Sequence, residues 1–282
     1  MTRMVGVLVV GSKVRLAIPR NRGSLDSMLG WSINLFRIRG IRISLHFSFL
    51  LLLAYVCNEG WLADGMPGLL WSAGTFLAFF TCVVLHELGH SLTAMQFGVH
   101  VRRILLMPIG GMAEFDQIPR KPSQELLITA AGPAVNFLIA ALLWFVVDFP
   151  AGWDLDSASV SLADLGRTLL RWNLAMGFFN LIPAFPMDGG RILRALLALR
   201  LPYLRATYWA ATIAKIVTVP GVAIALYFGA YFVAAIFVFI FMAGEAEYRS
   251  VKRRDAEEAY WKHVMSQQVV APPANEPPLL NG

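Results

Sequence analysis

Two histidines four residues apart, His86 and His90, with Glu87 between them, are the residues of this sequence best suited to chemistry. On a helix both imidazoles project from one face, so they can grip one metal ion while the carboxylate stands beside it. This His-Glu-x-x-His spacing is that of zinc hydrolases, and each part has a chemical reason. Zinc takes three protein ligands and keeps a position for water, whose pKa it lowers, and a carboxylate removes the proton. The third ligand must be a His, Asp or Glu at the same depth. Asp188 meets that condition, because it follows Asn180-Leu181-Ile182-Pro183-Ala184-Phe185-Pro186-Met187, where two prolines break regular helix. Broken backbone at membrane depth is tolerated where it lines a protein cavity or water. The alternative for Asp188 is a cap on the helix that begins near Arg191.

The elements that must position these groups are membrane-spanning. Hydrophobic residues make up 57% of the 282 residues and charged residues only 15%, which is too apolar for a solvated surface. Apolar spans are expected at residues 45–63, 66–97, 126–149 and 165–185, with two more within 208–243 on either side of Gly229. The predicted fold is therefore an all-α polytopic membrane protein of about six transmembrane helices. A short re-entrant or interfacial β-hairpin accompanies them, suggested by the partial alternation of residues 32–48 around Gly40.

The net charge of +6 does not signal nucleic-acid binding, since the Arg and Lys residues flank apolar runs as in membrane proteins. Arg37, Arg39, Arg42, Arg102, Arg103, Arg120, Arg191, Arg194, Arg249 and Arg254 fall on one side if the spans alternate, which predicts a multi-pass protein of the cell membrane with both termini cytoplasmic. Asp64, Asp148, Asp154, Asp156 and Asp164 mark the other side, and Arg167 and Arg171 at the start of the fourth span depart from the pattern. Lys215 within a span is expected to snorkel toward the cytoplasmic edge. Residues 1–30 read as an N-terminal extension and 31–245 as a membrane-embedded domain. Residues 246–282 read as a cytoplasmic helix-compatible segment and a disordered Pro-rich tail beginning at Ala271. Cys57 and Cys82 form no paired framework; Cys82, one turn before His86, reads as a small buried hydrophobe.

With these pieces in hand, the chain resembles the site-2 protease family of intramembrane zinc metalloproteases. The resemblance rests on His86-Glu87-Leu88-Gly89-His90, on Gly132-Pro133-Ala134-Val135-Asn136, on the Asn180 to Gly190 segment, and on Pro108-Ile109-Gly110-Gly111-Met112-Ala113. It implies one Zn2+ per chain, bound by His86, His90 and Asp188, with Glu87 as general base and then acid and Asn180 near the scissile carbonyl. Asn136 reads either as a substrate-facing residue or as a helix-packing hydrogen bond beside Gly132. The Gly110-Gly111 segment is too short and too broken to cross the bilayer, and is expected to fold beside the site and pair with an extended substrate. The implied partners are a transmembrane protein substrate and the lipid bilayer. Family members often carry PDZ or paired CBS modules; these 282 residues have room for neither, so regulation is expected to reside in prior trimming of the substrate or in a separate regulatory protein. A membrane metal-binding or transport protein using the same His and Asp residues is the competing reading, and Glu87 discriminates, because transport needs no base beside the metal.

Overall fold

A computed structural model describes residues 6–10, 13–17, 31–108, 110–116, 119–147 and 161–269 of the chain. Strands β1 (Gly6–Val10) and β2 (Lys13–Ala17) form a separate antiparallel pair. The remaining elements run β3 (Ser32–Ile38), β4 (Ile41–His46), α1 (Phe47–Gln96), β5 (Val101–Met107), β6 (Gly110–Phe115), α2 (Pro122–Trp144), α3 (Leu162–Asn180), α4 (Asp188–Ala198), α5 (Tyr203–Tyr227) and α6 (Tyr231–Val269).

Helix α1 is a hairpin rather than a rod. Asp64 and Gly65 leave helical geometry, and Gly65 takes φ 58°, a left-handed conformation that glycine adopts without a Cβ clash. Phe49 then packs against Phe76 and Phe80, with ring centroids 5.2 and 4.7 Å apart. In an unbroken helix residues 49 and 80 would lie about 46 Å apart, so the chain must reverse between them. The two arms, residues 47–63 and 66–96, correspond to the first two expected spans. Among the described residues four helices are long and apolar enough to cross a membrane: α1, α2, α5 and α6. Helix α3 coincides with the fourth expected span but carries Asp164, Arg167 and Arg171.

The expectation of an all-α protein with one hairpin needs correction. β3, β4, β5 and β6 form one four-stranded sheet in that order, with β3–β4 and β5–β6 antiparallel and β4–β5 parallel. A parallel pair requires a crossover connection, and the helical hairpin supplies it by returning the chain to the side from which it left. The inner face of the sheet, with Ile41, Ile43, Val101, Ile104 and Leu106, forms one buried cluster with Phe49, Phe76, Phe80, Val83 and Leu88 of α1. The sheet is thereby fixed to the arm that bears His86, Glu87 and His90.

Toward the C-terminus, Lys215 meets a carboxylate of the neighbouring helix. Its Nζ lies 2.5 Å from Glu245 Oε2, and Glu245 also pairs with Arg249 at 2.7 Å, which ties α5 to α6. The expected third span ended at residue 149, and the described part of α2 ends at Trp144. Residues 148–160, with Asp148, Asp154 and Asp156, and the tail from 270 onward lie outside the described residues.

Candidate metal centre

The second arm of α1 presents His86 and His90 one turn apart, and the first residue of α4, Asp188, reaches the same point from 98 residues further along the chain. His86 Nε2 lies 3.1 Å from His90 Nε2; Asp188 Oδ2 lies 3.3 Å from the first and 3.2 Å from the second. A tetrahedral zinc with bonds of about 2.0–2.1 Å requires ligand atoms about 3.3 Å apart, and this near-equilateral triangle meets that requirement. Gly132 of α2 closes one side. A Cβ there would lie 2.2 Å from His90 Nε2 and 2.8 Å from His86 Nε2, so only glycine leaves the space beside the two nitrogens open. The donor set of two imidazoles and one carboxylate, together with this vacated cradle, fits zinc.

Two backbone carbonyls determine which ring nitrogens are available. Ile128 O can only accept, so His90 Nδ1–H donates to it at 2.8 Å and the Nε2 lone pair is free. The second relay is longer. Leu169 O accepts from Asn173 Nδ2 at 2.8 Å, which leaves Asn173 Oδ1 to accept from Asn136 Nδ2 at 2.9 Å. Asn136 then offers only Oδ1 to His86, whose Nδ1–H donates to it at 2.5 Å. Each step forces the next, and His86 Nε2 is left as a lone pair aimed at the triangle. A hydrogen bond to the outer ring nitrogen fixes both the tautomer and the ring orientation of a metal-binding histidine.

Of the two readings of Asn136, the relay fits the helix-packing hydrogen bond rather than a substrate-facing role. Asn136 is fully buried, and both ends of its amide are engaged, by His86 and by Asn173. It orients His86. Asn180, expected near the scissile carbonyl, turns its amide nitrogen back to Met176 O at 3.0 Å, and no hydrogen bond among the described residues joins it to His86, Glu87, His90 or Asp188. Gly111 does lie at the site: a Cβ there would come within 2.5 Å of Glu87 Cγ, so the β6 backbone runs against the Glu87 side chain. Its neighbour Gly110 begins β6 with φ 130°, opposite Met107. Cys82 is buried with a free thiol and is not one of the clustered donors.

Sequence reasoning missed the groups that hold Asp188 in place. Arg194, on the same short helix α4, is buried; its Nε and Nη2 donate to Glu125 Oε1 of α2 at 2.9 and 2.5 Å, and its Nη1 donates to Glu247 Oε1 of α6 at 2.6 Å. Its guanidinium also stacks over Phe185 and Tyr203, with 5.2 and 5.0 Å to the ring centroids. Removing one partner of such a buried pair leaves an uncompensated charge, so α4 is tied firmly to its neighbours. In the sequence Arg194 reads only as an orientation-setting charge. The available signal for the network was the pair of isolated carboxylates, Glu125 and Glu247, at the ends of apolar runs. For Asn173 the signal was a polar residue inside a span, with nothing to name its partner.

If Asn136 holds the His86 tautomer, Asn136→Ala lowers zinc affinity about 10–100-fold. Chelator competition on the purified protein measures this; an affinity within twofold of the unsubstituted protein contradicts the relay.

Comparison with known proteins agrees with this geometry. Residues 74–169 and 155–228 match Peptidase family M50. Zinc metalloprotease MJ0392 of Methanocaldococcus jannaschii is 39% identical over 248 residues, covering 86% of this chain and 67% of that protein. Stage IV sporulation protein FB of Bacillus subtilis is 29% identical over 147 residues, covering 52% of this chain and 48% of that protein. Among solved structures, the site-2 protease from Methanocaldococcus jannaschii superposes with a TM-score of 0.53 at 39% identity, covering 77% of this chain and 95% of that one. The chain belongs to Peptidase family M50 and is a zinc metalloprotease of the site-2 protease type.

Proposed function

We propose that this chain hydrolyses a peptide bond inside a transmembrane segment of another protein, with His86, His90 and Asp188 holding the metal, Glu87 moving the proton, and β6 receiving the substrate as an added strand. The observation that carries this reading is the position of Gly111, whose backbone runs against Glu87 at the open edge of the sheet.

Zinc bound at the triangle supplies Lewis acidity, which makes water a competent nucleophile near neutral pH. Glu87 removes the proton from the attacking water as its oxygen joins the carbonyl carbon. The same carboxyl returns that proton to the amide nitrogen as the C–N bond breaks. The substrate presents a separate problem, since an intact helix engages its amides in hydrogen bonds and shields its carbonyl carbons. Strand β6 pairs with β5 on one side only, so its other side offers unpaired N–H and C=O groups. An unwound segment pairing there gains main-chain hydrogen bonds in place of those it lost. Gly110 and Gly111 leave room for the approaching backbone. Asn180 could serve the scissile carbonyl only by releasing Met176 O, so it has a secondary place in this scheme.

The reading extends to topology. Six crossings are proposed: the two arms of α1, then α2, α3, α5 and α6, within a membrane-embedded unit of residues 31–245. The basic residues at the sheet and at the ends of α2, α4 and α6 favour a cell-membrane protein with both termini in the cytoplasm. Substrates are transmembrane proteins in regulated intramembrane proteolysis.

Two variants test the mechanism. Glu87→Gln keeps about one zinc per chain and loses about 100- to 10,000-fold in cleavage rate; cleavage of a transmembrane substrate at the unsubstituted rate would sink the role of the base. Gly111→Val places a side chain where Glu87 Cγ now lies 2.5 Å from the added Cβ. With zinc content unchanged, cleavage drops about 100-fold, and a Pro or Gly placed near the scissile bond partly restores it. Normal cleavage by Gly111→Val, indifferent to helix breakers in the substrate, rules out strand addition at β6.

A further inference from the structure

The sheet has a second edge, β3, that the proteolytic reading does not use, and its composition is unusual for an exposed strand. Directly paired residues share a face, so Phe36 opposite Ile43 and Ile38 opposite Ile41 lie on the inner, apolar face. The inner face is covered by α1 at β4 and β5, but at β3 it overhangs. Trp31, Ile33 and Phe36 are 71%, 54% and 54% exposed, and Leu35 and Phe47 are exposed beside them. The outer face carries a row of cations: Arg37 stands opposite Arg42, and Arg42 opposite Arg103.

Like charges placed directly across a sheet destabilise it. Arg103 is neutralised by Glu114, with Nη2 to Oε1 at 2.7 Å. Arg37 and Arg42 are exposed and have no acidic partner among the described residues. A third cation, Arg39, occupies the turn with φ 48°, followed by Gly40 at φ 89°. A two-residue turn with both φ values positive favours Asn-Gly or Gly-Gly, so an arginine sits here against local preference. Three unneutralised guanidinium groups beside an apolar overhang form an amphipathic surface of the kind that lies in a membrane interface.

The connection to α1 fixes where this surface lies. β4 leads directly into the first arm, and Phe47 N–H donates to Trp31 O at 2.9 Å, so the base of the hairpin sits at the membrane-entry end of that arm. Trp31 packs edge-on against Phe47 at 6.0 Å, and tryptophan is enriched at that depth.

We propose that the β3–β4 hairpin is a binding site for anionic phospholipid headgroups. The exposed apolar residues of β3 rest on the acyl boundary, and Arg37, Arg39 and Arg42 take the phosphates, which relieve the arginine–arginine repulsion across the strands. Guanidinium groups suit this task because they pair with phosphate oxygens through two parallel hydrogen bonds. Since β3 to β6 are one sheet, lipid held at one edge sets the height of the other edge, where β6 meets Glu87. The inference rests on the membrane-embedded reading given above but not on proteolysis.

The test uses the full chain, purified and delipidated in neutral detergent, with phosphatidylglycerol or phosphatidylcholine added back and retained lipid measured by native mass spectrometry. The unsubstituted protein retains phosphatidylglycerol in preference to phosphatidylcholine. Each arginine at an anionic surface contributes about fivefold in affinity, so Arg37→Gln/Arg42→Gln weakens phosphatidylglycerol retention about 25-fold. Phosphatidylcholine retention and zinc content stay as they were, and Arg37→Lys/Arg42→Lys recovers part of the loss. In nanodiscs, a substrate without acidic flanking residues is cleaved several-fold faster when phosphatidylglycerol is present, and the Gln variant lacks that response while matching the unsubstituted rate in pure phosphatidylcholine. Equal phosphatidylglycerol retention by the Gln variant overturns the proposal. So does an arginine dependence that appears only with an acidic substrate segment, which would assign the row to substrate instead. Arginine-dependent lipid retention by a protein that cleaves nothing supports the lipid site and counts against the proteolytic reading alone.

Discussion

Three polar donors held 3.1–3.3 Å apart in an apolar interior are the constraint on which the rest of this structure depends. Polar side chains buried without partners are costly, and an imidazole left to itself can present either nitrogen. The fold resolves both problems by anchoring each histidine to a backbone carbonyl, directly through Ile128 for His90 and through Asn173 and Asn136 for His86. The relay explains why α1, α2 and α3 must pack where they do, since it crosses all three. Gly132 belongs to the same constraint, because its missing side chain leaves the space in which a metal fits.

Asp188 must arrive at this triangle from a distant part of the chain, and its position depends on a buried ion-pair network rather than on apolar packing alone. Arg194 joins α4 to α2 through Glu125 and to α6 through Glu247. Helix α4, which bears Asp188, is therefore coupled to α6. Arg120, which pairs with Asp255 and Glu258, separately links α6 to the segment that follows β6. The mixed sheet plays the corresponding part on the opposite side of the site: its core is fixed to α1, and β6 lies against Glu87.

Much of this was legible in the sequence for identifiable reasons. The His86 to His90 spacing carries its own geometry, because a helix places residues four apart on one face. The prolines before Asp188 announced broken backbone, and Gly40 between alternating runs announced a hairpin. What could not be read were contacts without local signals. The parallel pairing of β4 with β5 joins Arg42 to Arg103 across the whole of α1, and nothing in either strand specifies the partner. Asn136 was ambiguous because a buried asparagine in a span has the same appearance whether it meets a substrate, a ligand or a neighbouring helix; only the direction of its two amide ends decides. The partner of Lys215 could not be named, because Glu245 lies 30 residues away on another helix.

The central claim is that zinc is held by two imidazoles and one carboxylate, with no thiolate. X-ray absorption at the zinc edge of the purified, zinc-loaded protein tests it most directly. The predicted spectrum shows a four-coordinate site with nitrogen and oxygen donors at about 2.0–2.1 Å and multiple scattering from two imidazoles. A sulfur shell at about 2.3 Å, which would bring Cys82 into the site, or scattering from a single imidazole, would contradict it.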